Sequence, residues 1–353
     1  MLAPDTLIHN RYRIVRLMGE GGMGTVYEAI DERLGYSVAL KQTLVGGPAP
    51  MEHTFEREAQ QLARLRHPAL PVVSDFFTDE AGQFLVTSFV PGDDLAKQLA
   101  VRGKAFFLEQ MLRWADELLD VLEYLHSRQT PVLHRDIKPQ NLKVGKRGEL
   151  ILLDLGLVKD SPLPTSHARG VSSGFGYTPL EQIQGEGTDP RSDLYALAAT
   201  LYHLATNHPP ADALRRASYL ARRQPDPLRP PREINPLLPF TFANLLIAAL
   251  SLDPAGRPSS AQAMRFAMYE ERTGKAKALP ILQPAVERTM PIVEKAAAKP
   301  KRQSQLITAL PEPTQPLPHV ATRSKNKPIW YLWMAGATLA IILFGGGAWW
   351  LAA

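Results

Sequence analysis

The stretch Val132-Leu-His-Arg-Asp-Ile-Lys-Pro-Gln-Asn141 packs four chemically assertive side chains, His134, Asp136, Lys138 and Asn141, into eight residues beside a proline. Asp136 could accept a proton from a hydroxyl, Lys138 could hold a phosphate, and Asn141 offers an amide oxygen to a cation. Asp154 follows Asn141 by thirteen residues, at the end of the strand-like run Leu150-Ile-Leu-Leu153 and ahead of Leu155-Gly156. A carboxylate at the end of a buried strand is well placed to share a metal ion with Asn141. An isolated His-Arg-Asp is a common accident and reads as a turn with a surface ion pair. The longer pattern, with a D-x-G at this distance, is far rarer by chance.

Upstream, Tyr12 to Val15 begin a strand that runs into Gly19-Glu-Gly-Gly-Met-Gly24-Thr-Val26, the pattern G-x-G-x-x-G-x-V. Glycines let the backbone turn tightly and bring N–H groups to phosphate oxygens. The same glycines open dinucleotide-binding folds, where a helix follows them. Here Thr25-Val-Tyr-Glu-Ala continues as a strand. The next strand, Ser37-Val-Ala-Leu-Lys41, ends in a lysine fifteen residues after Val26. A helix follows with Glu52, Glu56 and Glu58; Phe55, Leu62 and Leu65 keep helical spacing, and Glu58 falls on their face while Glu56 lies off it. Phe84-Leu-Val-Thr-Ser-Phe-Val-Pro-Gly92 reads as a buried strand broken by Pro-Gly. Glu109 to Ser127 carries apolar residues at helical spacing and predicts a core helix, whose His126 reads as helix-end packing.

Taken together, H-R-D-I-K-P-Q-N, D-L-G, G-E-G-G-M-G-T-V and V-A-L-K resemble the eukaryotic-type, or Hanks-type, bacterial serine/threonine protein kinases. The resemblance covers residues 11–272 and implies an α+β, two-lobed fold: a small β-rich N-lobe over about 11–90 and a larger helical C-lobe over about 91–272. It implies that Gly19, Glu20, Gly21, Gly22, Gly24, Val26 and Ala39 bind ATP. Lys41 would hold the α- and β-phosphates and pair with Glu58. The backbone at Ser88 and Val90 would meet the adenine edge, with Thr87 behind the base and Asp94 near the ribose. Asp136 would accept or orient the substrate hydroxyl proton, and Lys138 would steady the transferred phosphoryl group. Asn141 and Asp154 would hold Mg²⁺, with Mn²⁺ as a substitute. A lysine two places after the aspartate is the serine/threonine version of the loop.

By the same resemblance His134 is structural, Asp193 anchors the catalytic-loop backbone, and Glu181 pairs with Arg257. Thr165, Ser166, Ser172 and Ser173 lie in a Gly/Ser/Thr/Pro-rich segment and are expected sites of autophosphorylation, within reach of a cation such as Arg135. The chain departs from the family pattern in three places. Leu155 replaces the Phe of D-F-G, Pro179-Leu180 stands before Glu181, and Ser173-Gly174 replaces a Gly-Thr pair. Proline-dense residues 225–239 are expected to be irregular, with helices at 242–252 and 260–268 closing the lobe.

The chain has 353 residues and no cysteine, which excludes disulfides, thiolate zinc sites and cysteine nucleophiles. Its net charge of +5 is unevenly spread. Residues 273–328 hold ten lysines and arginines against three glutamates, together with nine prolines, whereas 1–272 sum to −2. The basic character belongs to a disordered, Pro-rich linker, so nucleic acid is not the expected partner of the folded part. Residues 1–10 read as a short leader without a secretory apolar region. Residues 329–351 are uncharged and mostly apolar, with Trp330, Tyr331 and Trp333 at one end and Trp349 and Trp350 at the other. That predicts a single transmembrane helix. Arg323, Lys325 and Lys327 flank its start, so the expectation is a tail-anchored inner-membrane protein with a cytoplasmic kinase domain. Gly336 and Ala340 form a small-xxx-small pair, which by itself does not support dimerisation. Two rivals stay open at this point: a catalytically silent membrane scaffold, and a nucleic-acid-binding membrane protein using the basic linker.

Overall fold

The computed structural model describes residues 1–21, 24–43, 50–155 and 175–270. Gly22, Gly156, the four loop hydroxyls of 165–173, the linker at 273–328 and the expected transmembrane helix at 329–351 lie outside the described residues. Among the described residues no helix is long and apolar enough to cross a membrane.

The upper lobe is one antiparallel sheet of six strands: β1 (Leu7–Ile8), β2 (Tyr12–Gly21), β3 (Gly24–Asp31), β4 (Tyr36–Thr43), β5 (Val73–Asp79) and β6 (Gly82–Ser88), in the order β1-β2-β3-β4-β6-β5. The two-residue period of a strand divides its side chains between two faces. Tyr27, Ala29, Val38, Leu40, Phe84 and Val86 turn one way into the upper core. Val26, Ala39, Lys41 and Thr87 turn the other way; the register sets Val26 opposite Lys41 and Ala39 opposite Thr87. The stretch expected as a leader supplies β1, which pairs Leu7 with Arg13 and Ile8 with Tyr12, and buries Ile8. The Leu2 N–H also donates to the Tyr27 hydroxyl at 3.0 Å. The lobe therefore starts before residue 11, because a short turn folds the amino terminus back on an otherwise unpaired edge.

Helix α1 (Pro50–Ala63) crosses between β4 and β5. The residues after it do not stay with the upper core: Leu65, Ala69 and Leu70 are buried in the lower one, and the Leu152 N–H donates to the Ala69 carbonyl at 2.8 Å. The lower lobe is built on α3 (Leu108–His126) and α5 (Pro190–Thr206). Helix α3 buries Met111, Trp114, Ala115, Leu118, Leu119, Leu122 and Leu125 along one stripe. Helix α5 is buried almost all round, from Ser192 to Thr206, as suits a helix in the middle of a lobe. Its start is fixed by a capping box: the Asp189 carboxylate accepts from the Arg191 N–H, and the Ser192 hydroxyl receives the Asp189 N–H. Around them lie α2 (Leu95–Arg102), α4 (Leu180–Gln184), α6 (Ala213–Ala221), α7 (Pro231–Ile234), α8 (Phe240–Ala249) and α9 (Ala261–Glu270). The proline-dense stretch expected to be irregular thus contains one short helix, α7, with Pro231 at its first position, where a missing N–H costs nothing. A two-stranded ribbon, β7 (Leu142–Val144) and β8 (Leu150–Leu152), frames the lower side of the cleft.

Candidate active site

The cleft face of the upper sheet presents Val26, Ala39, Lys41 and Thr87. Gly19 and Glu20 lie on β2, opposite Val26 and Thr25, and Gly21 pairs with Gly24. Gly24 has a φ of 121°, and a Cβ there would run into the Gln42 carbonyl oxygen. Only glycine closes this hairpin so tightly. Helix α1 turns Glu58 inward beside buried Phe55 and Ala59, whereas Glu56 is exposed. Lys41 reaches down from β4, and its Nζ donates to Asp154 Oδ1 at 2.9 Å. This contact joins Lys41 to a carboxylate of the lower lobe, which the sequence had assigned to metal alone.

Asp193, on the first turn of α5, organises the loop below. It is fully buried, and its carboxylate accepts the His134 N–H at 2.9 Å and the Arg135 N–H at 2.7 Å. His126 Nε2 meets the same carboxylate at 2.8 Å. Burial opposes charge on Asp193, yet the His126 contact, the nearby His134 and the Arg135 N–H hold its carboxyl below the usual range. His126, expected only to pack a helix end, is therefore a partner of this anchor. His134 is buried, and its Nε2 contacts the Leu153 carbonyl at 2.9 Å, tying the loop to the strand that leads to Asp154.

Between these ties the backbone is bent into an uncommon shape. Arg135 has a φ of 63° and Asp154 a φ of 59°, the left-handed region that costs non-glycine residues about 1–2 kcal/mol each. Two such residues flanking one site mark a backbone shaped for what it carries. The Gln182 side chain also bonds the Arg135 carbonyl at 2.8 Å, and Arg135 Nε bonds Thr188 at 3.0 Å.

This bend aims Asp136 and Asn141 at each other. Asn141 Nδ2 donates to the Asp136 carbonyl at 2.7 Å and to its Oδ2 at 3.0 Å. With its amide hydrogens so engaged, Asn141 keeps its amide oxygen as an acceptor. Lys138 Nζ lies 3.1 Å from Asp136 Oδ2. The Leu153 N–H donates to the Asn141 carbonyl at 2.8 Å, which sets Asp154 beside the asparagine. The donor set is one amide oxygen and one carboxylate. Hard oxygens in so small a number suit Mg²⁺, which completes its shell with water and substrate phosphates. Among the described residues no group of three or more His, Cys, Asp or Glu makes a metal cage, and none is needed for that mode. Leu155 packs against the lower core, as an apolar residue can.

Beyond the loop, Arg257 forms a two-pronged pair with Glu181, at 2.7 and 2.9 Å, with its own side chain wholly buried. Burial works against the Glu181 charge, but Arg257 and the Ser192 hydroxyl hold the carboxyl below its usual range. Tyr177 lies nearby, with its hydroxyl 2.6 Å from His203 Nδ1. Burial pushes His203 down to about 4, helped by His208, so it is neutral and accepts from the tyrosine.

At the interlobe crossing, Ser88 ends β6 and Val90 lies in the connection to α2. Asp94 caps α2 through the Lys97 N–H at 2.9 Å. Lys143, which the sequence reading passed over, sends its Nζ 2.9 Å from the Val90 carbonyl oxygen. A signal was there: a lysine between Leu142 and Val144, two residues beyond the loop's asparagine.

The family model described as the protein kinase domain matches residues 12–267. The chain is 35% identical, over 74% of its length, to the DNA damage-responsive serine/threonine-protein kinase RqkA of Deinococcus radiodurans, covering 40% of that protein. It is 33% identical, over 72% of its length, to a probable serine/threonine-protein kinase of Streptomyces coelicolor, covering 39% of it. With serine/threonine-protein kinase pkn3 of Myxococcus xanthus the identity is 30% over 94% of this chain and 61% of the relative. The chain thus spans about two-fifths of the first two relatives. Among solved structures, the PknI kinase domain of Mycobacterium tuberculosis matches with a TM-score of 0.60 and 27% identity, over 77% of this chain and all of that one. A bent loop tied to a buried aspartate, a glycine-closed hairpin above it, and these matches lead to one assignment: the chain belongs to the protein kinase family and carries a Hanks-type bacterial serine/threonine kinase domain.

Proposed function

We propose that this chain transfers the γ-phosphoryl group of ATP to serine or threonine hydroxyls of proteins. The observation that carries the reading is the Asp193-tied loop, which holds Asp136 between Asn141 and Lys138, together with the Lys41–Asp154 contact. Asp136 is the group that accepts or orients the hydroxyl proton of the substrate. Lys138 sits where it can neutralise charge on the phosphoryl group in flight, and Lys41 where it can hold the phosphates. Asn141 and Asp154 would hold Mg²⁺, with Mn²⁺ as a substitute; when bound, the ion neutralises charge across the β- and γ-phosphates. Rate in this arrangement comes from positioning and charge rather than covalent chemistry. The scaffold alternative finds no support: Lys41, Asp136, Asn141 and Asp154 are all present, and each is held by a partner.

We assign the adenine edge to the backbone of Ser88 and Val90, with Asp94 near the ribose, under the glycine hairpin and Ala39. The kinase unit is read as 11–272 extended by β1, the stretch 273–328 as a linker, and 329–351 as a single helix crossing the inner membrane with the kinase on the cytoplasmic side. Uncharged sequence between two aromatic belts and a basic flank support that topology. Thr165, Ser166, Ser172 and Ser173 are the proposed sites of autophosphorylation, open to mapping by mass spectrometry.

The decisive experiment incubates the full chain, in lipid vesicles, with Mg²⁺ and γ-labelled ATP beside Asp136→Asn and Asp154→Ala. Label on protein hydroxyls that disappears in both variants supports the reading. Absence of label from the unaltered chain, with nucleotide bound, refutes it. Resistance of the chain to alkaline extraction from membranes tests the anchor separately.

A further inference from the structure

Lys143 is an ionisable residue in an unusual place. It stands on β7, where Leu142 pairs with Leu152 and both are fully buried in the lower core. Strand alternation sends the next side chain to the opposite side, toward the cleft. Lys143 is 8% exposed as a residue, and its Nζ donates to the Val90 carbonyl at 2.9 Å and lies 5.9 Å from the centre of the Phe89 ring. Burial pushes the ammonium below the usual lysine range; Asp94 and Asp93 oppose that, while Lys97 and Arg16 add to it. A buried lysine costs free energy unless its charge has a task or a partner. Its partner here is a main-chain oxygen of the interlobe crossing, not a carboxylate.

Along that crossing the Ser88 carbonyl, the Val90 N–H and the Val90 carbonyl offer acceptor, donor and acceptor in sequence. A purine presents positions 6, 1 and 2 in the same order. Adenine uses the first two with its amino group and N1, and carries only hydrogen on carbon at position 2. A 2-amino purine would turn a second amino group toward the Val90 carbonyl. We propose that Lys143 is a specificity-determining residue for the nucleotide base: by engaging the Val90 carbonyl, it withdraws the acceptor a 2-amino group needs and sets a cation against that group. The assignment rests on the reading above that places the adenine edge at Ser88 and Val90.

The test compares ATP with its 2-amino analogue, the triphosphate of 2,6-diaminopurine riboside, which keeps the position 6 amino group and N1. Binding of both is measured by competition against a fluorescent ATP analogue, for the full chain and for Lys143→Met and Lys143→Leu. Both substitutions keep apolar volume in place of the lysine stem, so either carries the test if the other fails to fold. The unaltered chain should bind the 2-amino nucleotide no better than ATP. In the variants the ratio should move toward the 2-amino nucleotide by about tenfold, the scale of one hydrogen bond gained. A ratio that stays within about twofold in both variants, with both nucleotides bound, overturns the role of Lys143. Failure of the unaltered chain to bind either nucleotide overturns the nucleotide reading itself, and this assignment with it.

Discussion

Cutting the Glu181–Arg257 pair tests whether the lower lobe is held by a buried charge contact. The Arg257 side chain is wholly buried and has five short contacts: two to Glu181, at 2.7 and 2.9 Å, and three to the carbonyls of Ser251, Leu252 and Arg191, at 2.8, 3.1 and 3.2 Å. In Glu181→Ala the carbonyls remain, but a guanidinium is left buried without its counter-charge, which costs about 3–5 kcal/mol. Arg257→Met leaves a carboxylate that is 13% exposed, keeps the Ser192 hydroxyl at 2.8 Å and can take a proton, so its cost should lie at the lower end, about 3 kcal/mol. The double variant buries no unpaired charge and should be less destabilised than the sum of the two by about 2–3 kcal/mol. Urea denaturation of the four proteins at neutral pH gives these values directly. Single losses below about 1 kcal/mol, or additivity within about 0.5 kcal/mol, would refute the argument.

Asp193→Ala should cost about 3–5 kcal/mol, because it strands a buried and a part-buried backbone N–H group and His126; kcat should fall further than in Glu181→Ala, since Arg135 loses the bond that holds its left-handed turn. Equal kcat losses in steady-state assays would deny Asp193 that role. His203 at about 4, against an ordinary 6.5, means that the unfolded chain takes up a proton which the folded chain refuses between those values. Stability is then fully present above pH 6.5 and lost as pH falls toward 4, by about 1–2 kcal/mol after allowance for the ring's partial exposure. Denaturation curves across that window should be flatter for His203→Gln. Gly24→Ala should lower stability and nucleotide affinity together, because its Cβ meets the Gln42 carbonyl, whereas Gly19→Ala has open space and should leave the melting temperature unchanged within a degree or two of experimental scatter.

The elements legible in the sequence were those whose residues have few other reasons to occur together. Asp136, Lys138, Asn141 and Asp154 stood out by spacing, and the structure brings the first three within hydrogen-bonding distance of one another around Asp136, while α3 declared itself by its apolar stripe. The choice of Glu58 over Glu56 followed from helical period together with the family resemblance around this helix, and the structure leaves Glu56 exposed. What escaped depended on neighbours distant in sequence. His126 looks like any residue at a helix end until α5 brings Asp193 to within 2.8 Å. Leu65, Ala69 and Leu70 were assigned to the upper lobe because the chain order puts them there, but their apolar surface is buried in the lower core. Strand β1 is two residues long, too short for any periodicity to show. Lys143 was visible as an interruption of an apolar strand, yet its partner is a carbonyl, and backbone atoms leave no trace in composition.

The Lys41–Asp154 contact also bears on the order in which ligands can enter. Each residue is a counter-ion of the other across the two lobes, so a phosphate arriving at Lys41 competes with a carboxylate, and a cation arriving at Asp154 competes with an ammonium. Either visitor alone must give up the Lys41–Asp154 pair. Both together replace one pair with two. On the proposed reading, thermodynamic reciprocity would make nucleotide and divalent cation tighten each other by the same factor, with the ion pair as the gate that disfavours each in isolation. Lys41→Met should relax that gate for the cation while removing the anchor for the nucleotide, uncoupling two affinities that the intact cleft ties together.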